Sequence, residues 1–427
     1  MILTDDEKAI LDGRDGPAKQ AALDLLVKYG IALGADRMLD TNNVCVGMFN
    51  YYPRNKIPGI NPDDFSGAFA IQNMGVDPGP AATMEIPCTA VNTCTIATAS
   101  CLDYLRYCNA PDDMYKSIEA LLAFRKNRKF SEMTSCAPYL SGNVPMKGEH
   151  CAWGESSAVI FINSVLGART NCEGLESSGA AAIVGKIPNA ALHTDEGRRG
   201  THLIHVEKIP SSGVEWDLMG YYCGKKVEDG IPVFVGDFGV LTLDMHKAFG
   251  ASLSTTGGID MYHIVGHTPE ANTMEQAFGS NKPVMEFKYG KEEELYAKEL
   301  LDSSKKTDVD IILLGCPFYS IQQIRKVADL LEGKQIKDGI HFIVMTAWMT
   351  KALADKSGYS KVIEEAGGYI LVDTCPPQAN LWPASITSLA TDSGKMAHYG
   401  GANRNDLNIH LGSVEQCVNA AITGRWL

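Results

Sequence analysis

DVDIILLGCPFYS (residues 308–320), IHFIVMTA (340–347) and YILVDTCPPQ (369–378) decide the fold. Each holds an unbroken apolar run of strand length, and the periodicity predicts strands at 308–315, 340–347 and 369–373, with helices at 320–332 and 349–366 between them. Strands alternating with helices make a parallel α/β sheet with right-handed crossovers. Cys316 and Cys375 then fall just beyond the carboxyl ends of two strands of one sheet, the rim on which open α/β sheets bind ligands. Two thiols on one rim is as far as this pattern goes.

A third cysteine has a similar setting. Cys136, in SCAPY (135–139), also precedes a proline by a residue or two. Buried cysteine is common in ordinary cores, so no one of the three is diagnostic alone. Together they suggest a specific chemistry: an iron–sulfur cluster held by three thiolates keeps one iron open as a Lewis acid, whereas a fourth thiolate would close it.

Upstream the pattern is mixed. Thr4 and Glu7 have capping-box spacing and Pro17 suits a first helical position, so two helices open the chain. Residues 41–90 read as loops and brief strands, and Cys88, Cys94 and Cys101 lack the spacing of a compact metal motif. Helices are expected at 112–126, at 155–167, where the run is apolar almost all round, and at 241–254. The expected division is an N-terminal α/β lobe at 1–130, a central lobe at 131–300 and a C-terminal βαβ lobe at 301–427.

Composition excludes several classes. The chain has 427 residues, 45% hydrophobic and 21% charged, which suits a globular enzyme of two or three lobes. A net charge of −13 with no basic run longer than RKNRK (125–129) argues against nucleic-acid or anionic membrane partners. No apolar run approaches the ~20 residues needed to span a bilayer. MILTDDEKAIL is acidic where a signal peptide is basic, so the expectation is a cytoplasmic protein whose twelve cysteines are reduced.

Polar residues gather around the apolar run at 155–167: Glu149, Glu155, Asn163, Arg169, Thr170 and Asn171. Charges beside a buried helix must be paired, hydrated or functional. LHTDEGRRG (192–200) adds Glu196 and Arg198, the latter a possible carboxylate fork. His263 alternates with apolar residues as a core histidine would, and Ser393 and Lys395 sit in a loop able to approach an anion. Neither GxxxxGK[ST] nor GxGxxG occurs, so those nucleotide cradles are not supported.

SCAPYLSGNVPMKGEHCAWGESSAV (135–159), NSVLGARTN (163–171), LHTDEGRRG, MYHIVGHTPEA (261–271), LLGCP (313–317), VDTCP (372–376) and TDSGKMAHYG (391–400) together resemble the large catalytic subunit of the aconitase X family, collinearly over about 130–427. The resemblance implies an aconitase-like, multi-lobed α/β iron–sulfur fold with parallel sheets flanked by helices, and a cluster of 4Fe-4S or 2Fe-2S type on Cys136, Cys316 and Cys375. It implies catalytic roles for Glu149, Glu155 and Lys395. Substrate contacts would come from Asn163, Arg169, Thr170, Asn171, Glu196, Arg198, His263 and Ser393. It implies a hydro-lyase acting on a small hydroxy acid, with cis-3-hydroxy-L-proline expected and mevalonate 5-phosphate as the alternative. A catalytically silent cluster-bearing subunit is the non-enzymatic alternative. A swivel domain is expected as a separate small subunit that brings a catalytic serine. The segment MLDTNNVCVGMFNYY (38–52) departs from the family pattern, which bears on the substrate pocket.

Overall fold

A computed structural model describes residues 1–47, 87–97 and 101–427, apart from 303, 305, 380, 384 and 405. The loop reading of 48–86 lies outside the described residues. The chain opens with helices Asp5–Leu11 and Pro17–Ala32. The first has its capping box: Glu7 N–H donates to the Thr4 hydroxyl and Thr4 N–H to the Glu7 carboxylate.

Three parallel sheets follow in chain order. Strands β1 (Met38–Asp40), β2 (Asn43–Val46), β3 (Asn92–Thr95), β4 (Ala152–Trp153) and β5 (Lys186–Pro188) build the first lobe. There β3-β2-β4 is parallel and β1 pairs antiparallel with β5. Strands β6 (His202–Val206), β7 (Pro232–Val235), β8 (His263–Ile264) and β9 (Met285–Tyr289) form a parallel sheet in the order β8-β7-β6-β9. Strands β10 (Ile311–Leu314), β11 (His341–Thr346), β12 (Tyr369–Val372), β13 (Ser388–Thr391) and β14 (Asn408–Leu411) form the third, ordered β12-β11-β10-β13-β14. The mixed α/β fold with parallel sheets flanked by helices is therefore the one expected. The lobe boundary at 130 does not coincide with the sheets, because β4 and β5 return to pair with β2 and β1.

Continuous apolar strands belong in sheets covered on both faces, and the third sheet meets that condition. Ile311 and Leu313 pack into one core cluster, Ile312 and Leu314 into another. The single helix expected at 349–366 is two, Trp348–Lys356 and Tyr359–Glu365, because Gly358 between them takes a left-handed φ of 82°. The buried helix expected at 155–167 runs as an α-helix over Ser156–Phe161, then widens into a π turn over Ile162–Leu166.

Candidate active site

The strand order of the third sheet reverses between β10 and β13, and the crevice at such a switch point lies outside the carboxyl ends of the strands. Cys316 follows β10 there, Cys375 follows β12, and Ser393 and Lys395 follow β13. The first lobe adds Cys136 just past Thr134, which bridges to Thr95 at the carboxyl end of β3. All three thiols line one cavity of about 360 Å3, together with Glu155 and Lys395. No disulfide ties them. Burial pushes the thiols of Cys136 and Cys316 far up and that of Cys375 to about 12, and neighbouring thiols add to the rise in each case. A thiolate here therefore needs cationic compensation.

Among the described residues no three His, Cys, Asp or Glu side chains converge on a point close enough for a single metal ion. The thiols instead surround a space, which suits a group wider than one ion. Two backbone N–H groups point at their sulfurs: Phe318 donates to Cys136 at 3.2 Å, and Gln378 donates to Cys375. Such hydrogen bonds are what cluster-bearing thiolates require.

Lys395 supplies the cation. Its ammonium donates to Glu155 at 3.1 Å, to the Ser156 hydroxyl at 3.1 Å and to the Ser157 hydroxyl at 3.0 Å. Burial opposes its charge, but Glu155 and the nearby thiols hold it protonated, above the usual lysine range. Glu155 caps helix Ser156–Phe161 and accepts from the Ser157 hydroxyl at 2.8 Å. Ser393 caps helix Gly394–Asn403, and its hydroxyl donates to the Cys316 carbonyl.

The remaining sequence candidates lie elsewhere. Arg198, only 2% exposed, donates bidentately to Glu270 and also to Asn163 and the Leu192 carbonyl. Asn163 and Thr170 exchange backbone–side-chain hydrogen bonds, and Asn171 holds Leu192 N–H. These residues complete one another in a scaffold between the first two lobes. Arg169, Arg198 and His263 line a different cavity, of about 330 Å3, at the amino end of the strands. Arg169 pairs with Asp195, and His263 Nε2 donates to the Arg198 carbonyl at 2.9 Å. Glu149 accepts from Met146 N–H at 2.8 Å and Asn43 at 3.4 Å, away from the thiols, while Glu196 is exposed. Ser156 and Ser157 were missed by sequence reasoning; their signal was the position after Glu155 at a helix start.

The chain is similar to known proteins over nearly its whole length. Family models for the aconitase X first, second and third domains match residues 1–196, 200–297 and 309–423. The chain is 34% identical to the phosphomevalonate dehydratase large subunit of Thermococcus kodakarensis over 99% of this chain and 100% of that protein. It is 33% identical to the one from Methanocaldococcus jannaschii, over 93% and 95%. It is 29% identical to the cis-3-hydroxy-L-proline dehydratase of Pseudomonas aeruginosa, over 98% of this chain and 70% of that protein. The crystal structure of Thermococcus kodakaraensis aconitase X in its holo-form superposes with a TM-score of 0.82 at 30% identity, covering 99% of this chain and all of that one.

Proposed function

The chain belongs to the aconitase X family and is a dehydratase, and from that premise we propose that it is the large subunit of a phosphomevalonate dehydratase whose cluster is held by Cys136, Cys316 and Cys375. The observation that carries the cluster reading is the single cavity lined by three thiols from separate chain segments beside one buried ammonium. The substrate reading is supported by identity of 33–34% over 92–100% of three phosphomevalonate dehydratase large subunits, with two others at 29% and 26%, against 29% over 69–70% of the hydroxyproline enzymes. A small subunit is the partner that those relatives' names imply. No helix among the described residues is long and apolar enough to cross a membrane.

When bound, the cluster supplies a Lewis acid that eases loss of a poor leaving group such as hydroxide. The chain's own residues do the rest. Lys395 is the cation among the described lining residues, so it receives the substrate carboxylate, with the Ser156 and Ser157 hydroxyls holding its ammonium in place. Glu155 is the carboxylate among them. As the substrate anion takes over Lys395, Glu155 loses its partner and becomes free to move a proton next to that carboxylate. Ser393 acts indirectly, by fixing the Cys316 carbonyl.

A second reading keeps cis-3-hydroxy-L-proline. It is favoured by the balanced charge of the cavity, where Lys395 and Glu155 match the carboxylate and ammonium of a zwitterion. The experiment is an anaerobic assay of both substrates with the small subunit supplied, alongside iron and sulfide quantification. Turnover of phosphomevalonate alone supports the first reading and turnover of hydroxyproline alone the second. A coloured, iron-loaded complex that turns over neither would reject both. Lys395→Met should lower kcat/KM on the true substrate by about a hundredfold or more, the scale of losing one preorganised charge donor.

A further inference from the structure

The loop carrying Cys316 is a thin wall. The thiol cavity lies on one side, and on the other lies a second cavity, of about 430 Å3, that also reaches Cys316 and Pro317. Space behind the loop removes part of its packing, so although Phe318 and Tyr319 are buried in core clusters, polar tethers help to fix its position. Four come from its own lobe: Ser393 donates to the Cys316 carbonyl, the Tyr319 hydroxyl donates to Asp392, Tyr319 N–H donates to the Met345 carbonyl at 3.0 Å, and the Thr346 hydroxyl donates to the Tyr319 carbonyl at 2.8 Å. Two come from helix Leu243–Gly257 of the second lobe: Asp244 accepts from the Ser320 hydroxyl at 2.9 Å, and Lys247 donates to the Phe318 carbonyl at 2.8 Å.

Lys247 stands out among these. It is 2% exposed, and a buried ammonium is tolerated only where its donors are matched. Here they go to the Phe318 carbonyl, to Gln323, which also accepts from Ser320 N–H, and toward Asp244 at 3.4 Å. The same Phe318 turns its N–H to the Cys136 sulfur at 3.2 Å. One residue is thus held by the second lobe through its carbonyl while it reaches the first lobe through its amide.

The geometry points to Lys247 as a positioning residue of the thiol site: by holding the Phe318 carbonyl it aims the Phe318 N–H at Cys136 and keeps the Cys316 loop in register with the first lobe. This rests on the reading that the thiols hold a cluster. Hydrogen bonds to thiolate sulfur and nearby positive charge favour the reduced cluster, so the consequence is electrochemical as well as kinetic.

The test compares wild type, Lys247→Met, Lys247→Arg and, as a control in the rear cavity, Lys326→Met. In anaerobically reconstituted protein, Lys247→Met should retain iron but show a more negative midpoint potential, Lys247→Arg should return it toward wild type, and Lys326→Met should leave it unchanged. In apo protein, alkylation of Cys136 by iodoacetamide, followed by mass spectrometry, should be slower in Lys247→Met than in wild type, because a misdirected Phe318 N–H no longer favours the thiolate that reacts. If Lys247→Met does not fold, Lys247→Gln takes its place. Unchanged potential together with unchanged Cys136 alkylation overturns the role of Lys247. Wild-type protein that takes up no iron and sulfide overturns the cluster reading instead, and the alkylation arm still decides on Lys247.

Discussion

The sheets of the second and third lobes are wound alike. In β8-β7-β6-β9 and in β12-β11-β10-β13-β14 alike, the first strand in the chain lies beside the fourth, so each sheet has a switch point between them. The contents of the two crevices differ. After β6 the chain places Lys208 in ion pairs with Glu294 and Glu215. After β10 it places Cys316, and after β13 Ser393 and Lys395, beside a cavity. The same topology carries ion pairs on one rim and, on the reading proposed above, the reactive thiols on the other. Winding supplies the crevice and the side chains decide its use.

The sharpest way to break this contrast is to remove the thiol. Cys316→Ser should abolish iron content and lower activity by at least about a hundredfold, since an open Lewis-acid site supplies several kcal/mol. Cys223→Ser, in the buried core of the second lobe, should leave the iron content and activity unchanged. Iron analysis and an anaerobic assay of the two variants decide it, and iron retained by Cys316→Ser would sink the assignment.

Next comes the backbone that delivers the thiol. Gly315 lies between β10 and Cys316 with φ at 97°, and a Cβ there would sit 2.3 Å from the Met345 carbonyl oxygen of β11. Gly315→Ala must strain the left-handed residue and push the neighbouring strand, costing about 2–4 kcal/mol. Denaturant unfolding of the apo protein measures that cost. Iron uptake should fall in parallel, because Cys316 is the next residue.

How much of this could be read beforehand depends on what kind of signal each part left. Ile311–Leu314 and Tyr369–Val372 are apolar enough to be seen, and they put Cys316 and Cys375 on one rim. Ser388–Thr391 and Asn408–Leu411 were not recognised, because runs of four residues, SLAT and NIHL, are too short for their pattern to stand out from the surrounding polar sequence. The switch point at β13 was hidden with them, so Ser393 and Lys395 read as a loop able to approach an anion, whereas they open helix Gly394–Asn403. Charges beside the apolar run at 155–167 were rightly expected to need partners. Which of them served the site was not legible: Glu155 turns to Lys395, whereas Arg198, Asn163 and Thr170 satisfy one another. Partner choice across such sequence distances is set by packing, which no local pattern encodes.

A test by pH addresses the second lobe. In the second lobe, burial depresses His246 to about 4, and its Nδ1 is 2.8 Å from the Tyr262 hydroxyl. A histidine kept neutral in the fold but free to protonate when unfolded lowers stability as pH falls below about 6.5, until the folded form also titrates near 4. The loss should be about 3 kcal/mol across that window. His246→Gln should flatten the pH dependence of Tm between pH 6.5 and 4, and an unchanged slope would show that His246 is not the cause.

The smallest effect belongs to the ion-paired rim of the second sheet. Lys208 is about a third exposed, and exposed or half-exposed ion pairs contribute little once side-chain ordering and screening are counted. Lys208→Met should therefore cost under about 1 kcal/mol in thermal unfolding, less still at high salt, and should leave turnover unchanged. Lys395 shows why position rather than pairing matters: it too binds a glutamate, yet it does so at the edge of a cavity shared with three thiols. If Lys208→Met lowered kcat as Lys395→Met is expected to, the second crevice would have to be counted as part of the reactive site, and the contrast between the two sheets would fail.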